Sequence, residues 1–154
     1  MAGAEQHRRE GAQHGDDGLA PTAPAAPRVI RHLRSGLSIR MTDVLGRTRM
    51  TVRGEIDLDC AETLHQALTS CLADTPAGVD VDLGAVDFFD CAGLNVLLRA
   101  RSAARAAGAQ LCLTAMSPAV ARLLDLTRCR EAFPLTAPQP AAADAAAWPE
   151  ARPA

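Results

Sequence analysis

Hydrophobic and polar positions alternate at four places along the chain. Leu37, Ile39 and Met41 alternate with Ser38, Arg40 and Thr42. Met50 and Val52 alternate with Arg49, Thr51 and Arg53. Val79, Val81 and Leu83 are separated by Asp80 and Asp82, and Leu111, Leu113 and Ala115 by Cys112 and Thr114. A period of two marks a strand with one buried face. A turn at Leu45-Gly46 joins the first two strands into a hairpin, and Gly54-Glu55-Ile56-Asp57 leads out of the second.

Between the strands the period becomes helical. Leu64, Leu68, Cys71 and Leu72 predict an amphipathic helix of about four turns. Asp59 and Glu62 precede it as a capping box with Asp59 as the cap, and Pro76-Ala77-Gly78 follows it. Leu94, Leu97 and Leu98, with Val96, Ala100, Ala103 and Ala107 beside them, predict a second helix that stops at Gly108. A turn after Leu83, seated in the core by Phe88-Phe89, is expected ahead of it. Ser117-Pro118 starts a third helix, with Val120, Leu123, Leu124 and Thr127 facing inward. A last short strand is expected at Ala132 to Leu135, held to an edge by Pro134. The order is ββαβαβα(β). It predicts an α/β domain: a mixed sheet of four to five strands with helices packed on it, the later strands joined by βαβ crossovers.

Residues 1–34 and 136–154 are rich in Ala, Gly, Pro and charge, without hydrophobic periodicity. They are expected to be disordered tails around a domain at 35–135. The chain of 154 residues suffices for one core. Its formal net charge of −2 implies no general affinity for polyanions, so no nucleic-acid partner is expected. Arg28, Arg31 and Arg34 read as a solvated linker, because few aromatics accompany them. All 16 basic residues are arginine, which with abundant alanine fits a GC-rich, bacterial coding sequence. No stretch has the length of a membrane span or the apolar core of a leader, so a cytoplasmic protein without membrane contact is expected.

The five cysteines are odd in number and form no C-x-x-C pair, which fits reduced thiols. The four histidines do not join them at ligand spacing, so no metal site is expected. No phosphate-loop or dinucleotide fingerprint is present, and no cofactor is expected. The acidic candidates Asp57, Asp59, Asp87 and Asp90 have no Ser/His/Asp or Cys/His set to work with, which argues against an enzyme.

The stretch Asp90-Cys91-Ala92-Gly93 lies at the start of the second helix. Such a terminus gathers backbone N–H groups and partial positive charge. It can serve an anion, a phosphate or a partner protein. It can equally be a plain capped start, with Asp90 as N-cap and Gly93 permitting close packing. Cys91 is the reactive candidate among the thiols, and a small packing residue is its plainer role.

Four segments in this order resemble the STAS domain of bacterial anti-sigma factor antagonists. They are Arg53-Gly54-Glu55-Ile56-Asp57, Val81-Asp82-Leu83, Phe89-Asp90-Cys91-Ala92-Gly93-Leu94 and Ser117-Pro118-Ala119-Val120-Ala121-Arg122-Leu123-Leu124. The resemblance covers about Leu37 to Leu135. It implies a partner, an anti-sigma factor of the serine-kinase type, whose capture frees a sigma factor to direct transcription. It implies a contact surface made by Glu55, Asp57, Asp90, Cys91, Ala92, Gly93 and Leu94. Family antagonists carry a Ser or Thr immediately before the Gly of this motif; the kinase phosphorylates it and the added charge, roughly −1.5 to −2, blocks rebinding. Here that position is Ala92, which has no oxygen to phosphorylate. Three readings follow: an antagonist without the phosphorylation switch, a STAS module of another assembly (a signalling scaffold or lipid-transport complex), or a sensor in which oxidation of Cys91 takes the place of phosphate.

Overall fold

The computed structural model describes residues 25–137. Strands β1 (Arg28–His32), β2 (Leu37–Val44), β3 (Arg47–Ile56), β4 (Gly78–Phe89) and β5 (Gln110–Met116) form one sheet in that order. Helices α1 (Ala61–Asp74), α2 (Cys91–Ala106) and α3 (Pro118–Leu126) alternate with the later strands, and a 3-10 turn, Arg130–Ala132, follows. β1, β2 and β3 pair antiparallel, while β3, β4 and β5 pair in parallel. The alternating residues Leu37, Ile39, Met50, Val52, Val79, Val81, Leu83 and Leu113 are buried. They form one apolar cluster with Leu64 and Leu68 of α1, Leu94 and Leu97 of α2, and Val120 and Leu124 of α3. The sheet's other face adds nothing to that cluster.

The hairpin turns at Leu45 (φ 50°) and Gly46 (φ 79°). Two consecutive residues with positive φ make the tight connection whose twist matches the flanking strands. Ser117 accepts from Val120 N–H at 3.3 Å with Pro118 beginning α3, as the sequence predicts.

Several expectations are corrected. The tail does not run to residue 34: Arg28–His32 is β1, in register with β2 through Ile30 opposite Ile39. Ile30 packs against the core, and Arg28, read from sequence as linker, pairs with Asp74 at 3.3 Å. One inward residue among arginines is too little alternation to register as a strand. The turn after Leu83 is absent, because β4 continues to Phe89 through a register shift against β3. Phe89 is buried, whereas Phe88 is 49% exposed. The expected strand at Ala132–Leu135 reduces to a single bridge between Leu113 and Leu135; Phe133, 2% exposed, anchors that segment instead. Ala103 of α2, Ala107 just after it and Thr127 after α3 are exposed rather than inward-facing. The two outer segments, 1–24 and 138–154, lie outside the described residues, and with them most of both expected tails and Trp148.

Candidate functional site

Two loops meet at the carboxyl ends of β3 and β4. Near the end of β3, Gly54 adopts φ 90° beside a register shift against β4. A Cβ there would run into the Gly36 carbonyl, so the bulge requires glycine. The bulge brings Glu55 opposite Phe88 and Ile56 opposite Phe89. Asp90 N–H then donates to the Ile56 carbonyl at 3.2 Å, which ties the two loops together.

The loop from Asp57 to Cys60 is held by its own side chains. Asp57 Oδ1 accepts from Asp59 N–H at 3.1 Å and Cys60 N–H at 3.2 Å. The Cys60 thiol accepts from Asp57 N–H at 3.3 Å and donates to the Glu55 carbonyl at 3.3 Å. Contact with the Cys60 thiol, then with the N–H groups around it, lowers the Asp57 carboxyl below its usual range. Burial raises the Cys60 thiol, which stays protonated as a donor. The expected capping box is not formed: Cys60 is the N-cap of α1 and no side chain caps the helix. Asp59 is exposed, and Asp57, two positions earlier, does the local bonding because the chain turns before the helix begins.

At α2, Asp90 is the N-cap; its Oδ1 accepts from Ala92 N–H at 2.9 Å and Gly93 N–H at 3.2 Å. Asp90 therefore caps the helix start, as one of the sequence readings has it. The amides that would hold an anion at this terminus hold Asp90 instead. A Cβ on Gly93 would lie 2.7 Å from Ile56 Cγ2 and 2.7 Å from Phe89 Cε2. Gly93 therefore lets α2 sit directly on the ends of both strands.

Of the sequence-derived candidates, Glu55 and Cys91 are exposed, and Asp57, Asp90 and Ala92 are half-buried. Gly93 and Leu94 are buried, so they seat the helix that carries the others. Two apolar side chains join this end: Leu58, 77% exposed, which sequence reasoning did not single out, and Phe88, which it placed in the core. The signal for Leu58 was a leucine between two aspartates, outside any hydrophobic period. Glu55, Asp59 and Asp87 give the same end an acidic rim. Among the described residues, no group of His, Cys, Asp or Glu could hold a metal ion, and no helix is long and apolar enough to cross a membrane.

Fold and site together define a small mixed-sheet α/β domain whose loop end is acidic, with isolated apolar side chains. The STAS domain model matches residues 39–142, and the chain belongs to that family. Two curated relatives, each an anti-sigma-F factor antagonist RsfB from a strain of Mycobacterium tuberculosis, are 34% identical over 61 residues, covering 40% of this chain and 50% of theirs. The chain thus spans about half the length of the curated relatives it matches. An anti-sigma factor antagonist from Mycobacterium paratuberculosis superposes with a TM-score of 0.59 at 29% identity, over 71% of this chain and 92% of that one. The anti-sigma factor antagonist SpoIIAA in its unphosphorylated form shares the fold, with a TM-score of 0.52 at 15% identity, over 58% of this chain and 80% of that one.

Proposed function

We propose that this chain is a cytoplasmic anti-sigma factor antagonist without the usual phosphorylation switch. It captures a serine-kinase-type anti-sigma factor with the loop end of its sheet, and so releases a sigma factor. The family and the names of its relatives support the antagonist role. Leu58 and Phe88 supply apolar anchors, and the acidic rim suits a basic partner surface.

One observation carries the missing switch. Ala92, half-buried in the first turn of α2, presents a methyl group where the resemblance places the kinase's acceptor hydroxyl. A phosphate there would set about two negative charges beside the Asp90 carboxylate. Ala92 instead keeps the small, uncharged character of an unphosphorylated residue, so ATP leaves binding unchanged.

The test is a titration against kinase-type anti-sigma factors with ADP or with ATP, followed by intact-mass detection of phosphate. The wild-type chain is expected to bind equally well with either nucleotide and to remain unmodified. Ala92→Ser is expected to gain one phosphate and then to release the partner. Phosphate on the wild-type chain would overturn the switchless reading, and failure to bind any such factor would overturn the antagonist reading.

A further inference from the structure

The loop end of the sheet has a third element. β2 runs antiparallel to β3, with Ser38 opposite Arg53, so the turn at residues 33–36 between β1 and β2 lies beside the carboxyl end of β3. That turn is tied to the neighbouring loop. The Gly36 carbonyl packs against Gly54, where a Cβ would collide with it. Ser35 Oγ accepts from Leu37 N–H at 3.3 Å and meets His32 Nδ1 at 3.0 Å. The Ser35 side chain also reaches the Cys60 thiol, which braces the loop from Asp57 to Cys60. Gly36 takes φ 66°, a left-handed position that suits glycine. The turn is therefore held in one shape, by its own bonds and by contact with the site.

The Leu33 side chain takes little part in this packing. It is 94% exposed, at a place where turns favour Gly, Asn, Asp or Ser. A single exposed leucine is ordinary on a protein surface. This one is the third large apolar side chain at the same end, with Leu58 at 77% and Phe88 at 49% exposed. The other exposed large apolar residues are dispersed: Val29 on β1, Leu45 in the hairpin turn, Leu126 at the end of α3 and Leu135 beyond the 3-10 turn. Arg34, also exposed, sets a positive charge beside the rim of Glu55, Asp59 and Asp87. Both Leu33 and Arg34 fell in the segment that the sequence assigns to a tail.

We infer that the Leu33-Arg34 turn is a further contact element of the capture surface and selects which anti-sigma factor is accepted. Its counterpart on the partner is an apolar site edged by a carboxylate, next to the basic surface that meets the acidic rim. The inference rests on the antagonist reading and deepens it. An apolar anchor held in place before binding loses little freedom on docking, so more of its burial goes into affinity. The change of sign across one surface sets specificity: a factor that is basic throughout meets Arg34 as a like charge and is disfavoured.

The test titrates the full chain and its variants against kinase-type anti-sigma factors. Leu33→Ser is expected to weaken binding about tenfold, and Leu33→Met to retain it. Leu45→Ser, the same change at the opposite end of the sheet, is expected to leave binding unaltered. Arg34→Glu is expected to slow association at about 0.05 M salt and to do so much less at about 0.5 M. Thermal melts separate binding from folding, and Leu33→Ser is expected to melt with the wild type because its side chain is exposed. If the wild type binds no factor, the antagonist reading falls and this inference with it. If the wild type binds and Leu33→Ser binds equally well, only this inference falls. Equal losses in Leu33→Ser and Leu45→Ser, or faster association of Arg34→Glu, would also overturn it and leave the antagonist reading in place.

Discussion

Gly93 decides how α2 meets the sheet. A methyl group there gains roughly 1 kcal/mol of helix propensity over glycine. It must also displace Ile56 and the Phe89 ring, each 2.7 Å from the added carbon. Both neighbours are core residues, buried with little freedom to move, and overpacking of this kind costs roughly 1–3 kcal/mol. Gly93→Ala is therefore expected to lower stability by about 1 kcal/mol net, a fall of about 4–8 °C in Tm for a domain of this size. An unchanged or raised Tm would show that the strands yield without cost. The sequence allowed Gly93 a packing role but could not establish it, because Ile56 and Phe89 come from two different strands. Asp90 was legible as a cap because its partners lie two and three residues away. Cys60 was not: its partners bend back to Glu55 and Asp57 through a turn that no pattern announces.

At the level of elements, the loop from β3 to α1 shows where local pattern reading fails. Asp59 and Glu62 have the spacing of a capping box, yet the chain turns at Asp57 and starts α1 one residue after Cys60. The expected consequence is an inversion of the sequence-based ranking. Asp57→Asn should destabilise the domain at neutral pH, while Asp59→Asn should be nearly silent. The lowered Asp57 carboxyl gives the effect a pH signature. A carboxyl depressed in the folded state contributes stability above its unfolded value, about 3.9, and loses it as pH falls through the folded value. The difference between wild type and Asp57→Asn, followed by urea unfolding, should hold from neutral pH to about pH 5 and shrink below about pH 4. A constant difference across that range would remove the ionised carboxylate from the account. The regular elements were legible because β2, β3, β5 and the buried start of β4 keep strict alternation. β1 was missed because five residues with one inward-facing isoleucine carry almost no period.

Across the whole molecule, the two ends of the parallel strands have different construction. The carboxyl ends open into the acidic, partly apolar loops, the usual place for recognition in such sheets. The amino ends are pinned by polar contacts, from buried to exposed, that join the hairpin to the parallel half. Arg47 reaches from the start of β3 to Asp80 on β4 and donates to the Ala77 carbonyl at 2.6 Å. Thr48 and Thr75 share a hydrogen bond of 2.6 Å beside it. Asp80 is 6% exposed, and its hydrogen bond raises the Arg47 pKa further above a value already out of the working range, so the guanidinium stays charged. Removing one partner strands the other: Asp80→Leu is expected to cost about 3 kcal/mol, the low end for a buried pair because Arg47 keeps some contact with water. Replacing both, Arg47→Met with Asp80→Leu, removes the desolvation cost along with the attraction. It is expected to recover most of the loss, giving a coupling energy of about 1–3 kcal/mol in a double-mutant cycle. Neither change touches the loop end, so under the proposed function capture of an anti-sigma factor by folded protein should be the same in all four members of the cycle. If the single and double variants lose stability in simple addition, the pair contributes nothing as a pair. The seam between the two halves would then rest on the apolar core, the β3–β4 ladder and the Thr48–Thr75 contact.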